Sequence, residues 1–314
     1  MLSSLKIAEA LLLRTGRVEV EGNSISEVRK LRRSKKNSTL SVGKQSQNIM
    51  NGRLTFLPLI LFGIYGGYFY YSHRDTVPVT GRKHMVDMNP QQEEALGFQS
   101  YQQILHESKV APASHPLSQT VKSIGQRLAK VSEDPGYQWD FNVIISNQVN
   151  AFCLPGGKVA VYTGIIPVAK TDDGLAIIMG HEIAHAIARH GAERMAQEKL
   201  VHIGQIATGV AMAGMDSVKQ QGIMVALGLG AQYGILLPFS RKHESEADEM
   251  GLVFAARACF DPTEAIRVWQ RMAETSGGQP NHYMSTHPSH ETRIADFERL
   301  MPKALEIRKQ SCPN

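Results

Sequence analysis

Gly180-His181-Glu182-Ile183-Ala184-His185 sits inside Leu175 to Met195, where Leu175, Ile178, Met179, Ile183, Ala186 and Ile187 recur at three-to-four spacing. That period predicts a mostly buried helix. His181 and His185 then stand one turn apart on one face, placed to grip a single metal ion. Glu182 cannot ligate the same ion from that face, but it can reach a water on it and take its proton. The bland reading is a helix with two surface histidines. It conflicts with the apolar surroundings, because burying each of these polar groups without a partner costs about 1–3 kcal/mol. Metal ligation removes the conflict, and the pattern is that of a zinc-dependent hydrolase.

Around this helix, 314 residues with 42% apolar content suffice for one sizeable core with some length left over. The formal net charge of +5 is uneven: residues 1–53 hold eleven Lys+Arg and four Asp+Glu, a local +7, which leaves −2 for the rest (5 − 7). The basicity belongs to the tail, and nothing in the body suggests a nucleic-acid surface. Leu54 to Tyr71 follows, eighteen residues without a charge, bracketed by Arg53 and Arg74 and with tyrosines crowded toward one end. At 1.5 Å per residue it extends about 27 Å, which fits one membrane span. The basic cluster from Arg29 to Lys36 places the N-terminus inside, in a cytoplasm or mitochondrial matrix, with the body in a periplasm or intermembrane space. A buried core helix is the rival, weakened by Pro58 and Gly66-Gly67.

Thr76 to Pro90 reads as a turn-rich linker, and two helical patterns run from Gln91 to about Val131, broken near Ala111-Pro112 and His115-Pro116. Trp139 to Ile145 reads as a strand. Asn150–Leu154 and Lys158–Ile166 form a hairpin about Pro155-Gly156-Gly157. That hairpin directly precedes the metal helix, so Asn150, Ala151 and Phe152 are candidates for an edge that takes an extended substrate as an added strand; an ordinary core hairpin is the alternative. Ile203 to Leu237, rich in Gly, Ala and Met, has two apolar halves, each too short to span. It reads as a close-packed helical hairpin over the active-site layer, or as a surface that dips into the membrane. Cys153, Cys259 and Cys312 include no C-x-x-C, and one Cys259–Cys312 bridge is possible in an oxidising compartment.

Two histidines need a third protein ligand and an open position. Ser240 to Gly251 is a polar stretch that reads as the opening of another helix, with Glu244 and Asp248 on one face. Glu244 as ligand and Asp248 as acceptor for a ligand histidine's other nitrogen is a coherent division. Glu246 competes for the ligand role by chemistry alone.

H-E-I-A-H with His190 five residues on, then H-E-S-E-A-D-E-M-G from His243, then S-T-H-P-S-H-E-T-R-I from Ser285, together resemble metallopeptidase family 48. V-P-V-T-G-R-K at Val77 and N-A-F-C-L-P-G-G-K at Asn150 resemble its mitochondrial Oma-type and bacterial periplasmic branch. The resemblance covers roughly Val77 to Pro302. It implies an α+β fold: a mainly helical zincin domain of the gluzincin type, with a small sheet beside the zinc helix, to which the uncharged stretch Leu54 to Tyr71 adds one N-terminal transmembrane helix. It further implies one zinc on His181, His185 and Glu244, with Glu182 as general base and Asp248 and Arg293 in support. The expected organisation is a basic tail 1–53, a span 54–71, a linker 72–90, a peptidase domain 91–302 and a C-terminal tail 303–314.

The implied activity is endopeptidase cleavage of unfolded or membrane-proximal proteins. A zinc-stabilised adaptor without catalysis and a hydrolase of a non-peptide bond are the rivals, and a homo-oligomer is left open. Pro288 restricts His287 to extended backbone, which presents its ring from a loop. Near the metal that ring can donate to an oxyanion or occupy the open position as a latch; capping a helix is the third role.

Overall fold

The computed structural model describes residues 56–275, 282–287 and 292–312. The basic tail and Pro288 lie outside them. The chain enters through α1 (Leu57–Ser72) and a short antiparallel pair, β1 (Arg74–Thr76) with β2 (Lys83–Met85). That pair stands where the sequence reads as a linker. Next come α2 (Pro90–His106) and α3 (Pro116–Val131), both with proline in the first turn. Asn89 and Gln92 close a reciprocal cap on α2, satisfying amides that the helix itself leaves open.

The sheet follows the expected strands. β3 (Asp140–Ile144) runs parallel to the central β5 (Lys158–Tyr162), and β4 (Ala151–Leu154) runs antiparallel on its other side. The β4–β5 turn uses Gly156 and Gly157 at φ of +80° and +77°, a region that only glycine enters without steric cost.

After the single turn α4 (Ile166–Ala169), the metal-motif helix, α5 (Asp172–Ile187), is buried along most of its length. Thr171 caps it by accepting from Gly174 N at 3.0 Å, and Asp172 and Asp173 complement the positive end of its dipole. It lies in the middle of the molecule. Val121, Ile124 and Leu128 of α3 and Val143, Val159 and Val161 of the sheet share its core cluster. The same cluster includes Met250 and Phe254 of α8 (Leu237–Arg257) and Val268, Trp269 and Met272 of α9 (Glu264–Glu274).

Gly180 and Gly251 allow the closest approach between α5 and α8: a Cβ on Gly251 would stand 2.7 Å from His181 N. A helix turn α10 (His282–Thr286) and the C-terminal α11 (Arg293–Ser311) complete the body. Pro302 sits inside α11 without ending it, so the stretch read as a tail continues as helix, with Ala304 buried. Cys259 and Cys312 form a disulfide across a separation of 53 residues.

The segment from Ile203 to Leu237 departs from the packed-cover reading. α6 (His190–Ala211) and α7 (Ser217–Ala231) do form a hairpin, but α7 contributes no buried residue. It also does not end where its apolar run ends. A π-helical stretch, Gln232–Leu236, carries it into α8, so one continuous helix of 41 residues runs from Ser217 to Arg257. The polar stretch at Ser240 therefore lies in mid-helix. No break in the backbone marks the change from the apolar run to the polar one.

Candidate metal centre

α5 and α8 cross at the two glycines, which brings His181 and His185 against Glu244, four residues before Asp248. His181 Nε2 and His185 Nε2 are 3.1 Å apart, and Glu244 oxygens lie 3.4 Å and 3.6 Å from them. His287 Nδ1 is 3.2 Å from both His181 Nε2 and Glu244 Oε2. These four residues form a group able to hold one cation.

Whether a metal fits depends on where the ring protons sit, and the surrounding partners assign them. His181 Nδ1 meets Asp248 Oδ1 at 2.9 Å. A carboxylate cannot donate, so Nδ1 carries the proton and the Nε2 lone pair faces the cluster. Asp248 is itself neutralised by Arg293 through Nε and Nη2, both at 2.6 Å. On the other side, His190 Nε2 meets Glu246 Oε2 at 2.9 Å and His190 Nδ1 meets His185 Nδ1 at 2.9 Å. Burial draws the His190 pKa down to about 4 against the pull of Glu246, so its ring is neutral near pH 7. It donates through Nε2 and accepts through Nδ1. His185 Nδ1 then carries the proton, and its Nε2 lone pair also faces the cluster.

Two lone pairs and a carboxylate that converge in a buried space repel one another unless a cation lies between them. Without a metal a proton on His181 Nε2 takes the cation's place: burial disfavours charge on the ring, yet Asp248 and Glu244 outweigh it and raise its pKa to about 9. Burial would also raise Glu244, but His287, His185 and His181 hold it well below the usual carboxylate range. The donor set His, His, Glu therefore fits a divalent metal.

Glu246 does not join the cluster. Its carboxylate accepts from Thr80 Oγ1 at 2.5 Å, Arg82 Nε at 2.8 Å and His190. It orients His185 through His190. Glu182, 3% exposed, accepts from the Tyr283 hydroxyl at 2.7 Å and lies 3.5 Å from His287 Nε2. His287 follows the single turn of α10, its amide donating to Tyr283 O at 2.8 Å. It thus ends a helical turn, where the sequence reads as a loop.

The suggested substrate strand is placed in part. β4 is an outer strand of the sheet and packs beside α5. Asn150 and Ala151 are buried, and the Phe152 ring packs on Tyr101 and Tyr162 at 6.3 Å and 6.2 Å. These side chains are committed to the body, so only the backbone edge remains to offer.

The sequence alone assigns no role to Tyr283, His190, Thr80 or Arg82. Tyr283 lies four residues before His287, and that spacing on one helical turn is the signal that was there to use. Arg82 could not be found this way, since it contacts Glu246 across 164 residues of sequence. Between α5 and α6, Arg189 adopts φ of +54°, a left-handed turn that brings His190 back to His185. Its guanidinium is held by Asp75 and by the Met88 carbonyl, both at 2.7 Å, and by Glu93.

A buried H-E-x-x-H helix, a glutamate brought against its two histidines by a second helix and a neighbouring three-stranded sheet define the class, a metal-dependent peptidase. Residues 116–301 match the model of Peptidase family M48, and the chain belongs to that family. It is 37% identical over 250 residues to the mitochondrial metalloendopeptidase OMA1 of Schizosaccharomyces pombe, covering 78% of this chain and 72% of that protein. It is 34% identical over 272 residues to the human mitochondrial metalloendopeptidase OMA1, covering 82% of this chain and 52% of that protein. The beta-barrel assembly-enhancing protease of Escherichia coli is 29% identical over 188 residues, covering 57% of this chain and 38% of that protein. The chain is accordingly a metalloendopeptidase.

Proposed function

We propose that the chain is a membrane-anchored zinc endopeptidase that cleaves misfolded or stress-exposed membrane and membrane-proximal proteins. The observation that carries the catalytic part is the convergence of two imidazole lone pairs and Glu244, with the Glu182 carboxylate beside them. His181, His185 and Glu244 would hold the metal. Zinc suits a His2Glu set and, when bound, supplies Lewis acidity that polarises a carbonyl and lowers the pKa of water toward ~7.

Glu182 accepts a proton from the attacking water and returns it to the leaving amine. Tyr283 fixes the Glu182 carboxylate through its hydrogen bond at 2.7 Å. Asp248 with Arg293, and Glu246 with His190, hold the ligand rings in their working tautomers. An extended substrate segment adds to the β4 edge by backbone hydrogen bonds, a mode that selects for chains that have lost structure. The names of the relatives favour a mitochondrial setting, with α1 in the inner membrane, the tail in the matrix and the body in the intermembrane space.

His287 acts as a latch. Its Nδ1 already lies among the donor atoms, 3.2 Å from His181 Nε2, where it would fill the position that substrate needs. The test is cleavage of an unfolded protein by the full-length chain in detergent, with and without chelator. Glu182→Gln should keep the metal and lose activity, and more than a few percent residual cleavage would reject its role. His287→Ala should raise basal proteolysis; a tenfold fall in kcat would make it an oxyanion donor instead.

A further inference from the structure

The helix from Ser217 to Arg257 contains a strongly apolar stretch, none of it buried. Gln220 to Ser240 carries no charge over twenty-one residues, about 30 Å of helix and the thickness of a bilayer's hydrocarbon core. Within it Val225 is 58% exposed and Leu229 54%, with Ile223 and Leu227 also exposed. Residues two apart lie about 200° apart on a helix, so this exposure covers two opposite faces, and the partly covered side, with Met224 and Gly228, turns toward α6.

The apolar surface is continuous with that of α1. α1 packs along α6, where a Cβ on Gly204 would stand 3.0 Å from the Phe62 ring. Ile60, Leu61, Ile64 and Tyr68 remain exposed on α1. Leu200 to Met215, on the outgoing limb of the hairpin, holds no Asp, Glu, Lys or Arg over sixteen residues.

Charges return only at the two ends. Toward the body, Arg74 stacks over Tyr70 and Tyr71 at 5.2 Å and 5.9 Å and Lys199 lies 5.3 Å from the Phe69 ring, the aromatic and basic belt of an interface. At the tip, Asp216 caps α7 by accepting from Val218 N and Lys219 N.

We propose that the α6–α7 hairpin crosses the bilayer beside α1, making a three-helix membrane unit whose Met212–Lys219 tip emerges on the face where the N-terminal tail lies. The occupant of this surface is lipid hydrocarbon. A second copy of the chain would cover one side, whereas the exposed apolar surface extends round both α1 and α7. The inference rests on reading α1 as a span, and the experiment tests that reading separately.

Full-length chain with Cys153 replaced by Ala is reconstituted in sealed vesicles and carries one new cysteine: S38C in the tail, K109C in the body, M215C at the tip or V225C in mid-helix. A membrane-impermeant maleimide is applied to one face at a time. The expected result is that positions 38 and 215 label from one face and 109 from the other, while 225 labels only after detergent. Labelling of 215 together with 109, opposite 38, keeps the single span and overturns the hairpin. Labelling of 38 and 109 from one face overturns the α1 span, and with it the three-helix unit; 215 on that same face overturns the hairpin crossing as well. Disulfide-linked dimers through V225C in dilute vesicles would give the surface to a second copy instead.

Discussion

Gly251→Ala tests whether helix separation sets the metal geometry. The new Cβ would stand 2.7 Å from His181 N and 2.9 Å from Gly180 C and His181 Cα. An ordinary contact needs about 3.5 Å, so α8 must retreat from α5 by about 0.8 Å. The atoms it meets are helix backbone and cannot swing aside. Overpacking of this kind costs about 1–3 kcal/mol, and the higher helix propensity of Ala offsets about 1 kcal/mol of that, leaving a net loss of about 0–2 kcal/mol. Glu244 and Asp248 both ride on α8, however, and metal–ligand distances tolerate only about 0.2 Å. Metal affinity should therefore fall at least tenfold, while the metal-free chain melts only a few degrees lower. Zinc titration against a chromophoric chelator and thermal unfolding of the metal-free chain supply the two numbers. Gly191→Ala, on α6 with nothing within 4 Å, is the control and should leave affinity unchanged. An unaltered zinc affinity in Gly251→Ala would refute the reasoning.

Asp248→Asn should lower zinc affinity about 10–100-fold and, by leaving buried Arg293 short of a counter-charge, destabilise the fold by about 3–5 kcal/mol in denaturant titration. Reducing the Cys259–Cys312 bridge frees a closure of 53 residues, worth about 4 kcal/mol by chain entropy, so Cys312→Ser should lower the melting temperature with no direct effect on the metal site. For Glu193, burial alone would raise the carboxyl pKa, but His243, His84 and Arg82 outweigh it and hold it far below the usual range. Its folded value is depressed, so its stabilisation is complete above the ordinary carboxylate pKa of about 4.3 and is lost as pH falls below it. Glu193→Gln should flatten that acid limb in a series of melts, and an unchanged limb would remove Glu193 from the account.

What the sequence made legible follows the range of the interactions. His181, Glu182 and His185 lie within one turn, so helical periodicity alone brings them together. Glu244 and Asp248 share a face by the same spacing, but choosing Glu244 over Glu246 needed the family resemblance. The structure shows why spacing could not decide. Both carboxylates are buried, and what separates them is that Arg82 and Thr80, distant in sequence, engage one and not the other. The strands and the Gly156-Gly157 turn were readable from alternation and turn chemistry. The hairpin of α6 and α7 was readable from its two apolar halves, but not its exposure or its continuation, because the π-helical stretch Gln232–Leu236 lets an apolar helix run on into a polar one without a break.

The two α5 histidines of the cluster are held by chains of the same design drawn from opposite ends of the protein. His181 bonds to Asp248, whose charge is balanced by Arg293 at the start of α11. His185 bonds to His190, which bonds to Glu246, balanced by Arg82 just before β2. Neither arginine reaches the cluster unless its end of the chain has docked. An unfolded segment containing all three ligand donors would lack the tautomers that turn both Nε2 lone pairs inward, so tight metal binding reports that the whole body has folded. Arg82→Gln and Arg293→Gln should then each weaken zinc binding without touching a ligand. Arg82 also stands only six residues beyond Thr76, at the foot of α1 and the β1 strand. Movement of that helix against the body would therefore act on His185 before it acted on Glu182, changing how firmly the metal is held rather than removing the base.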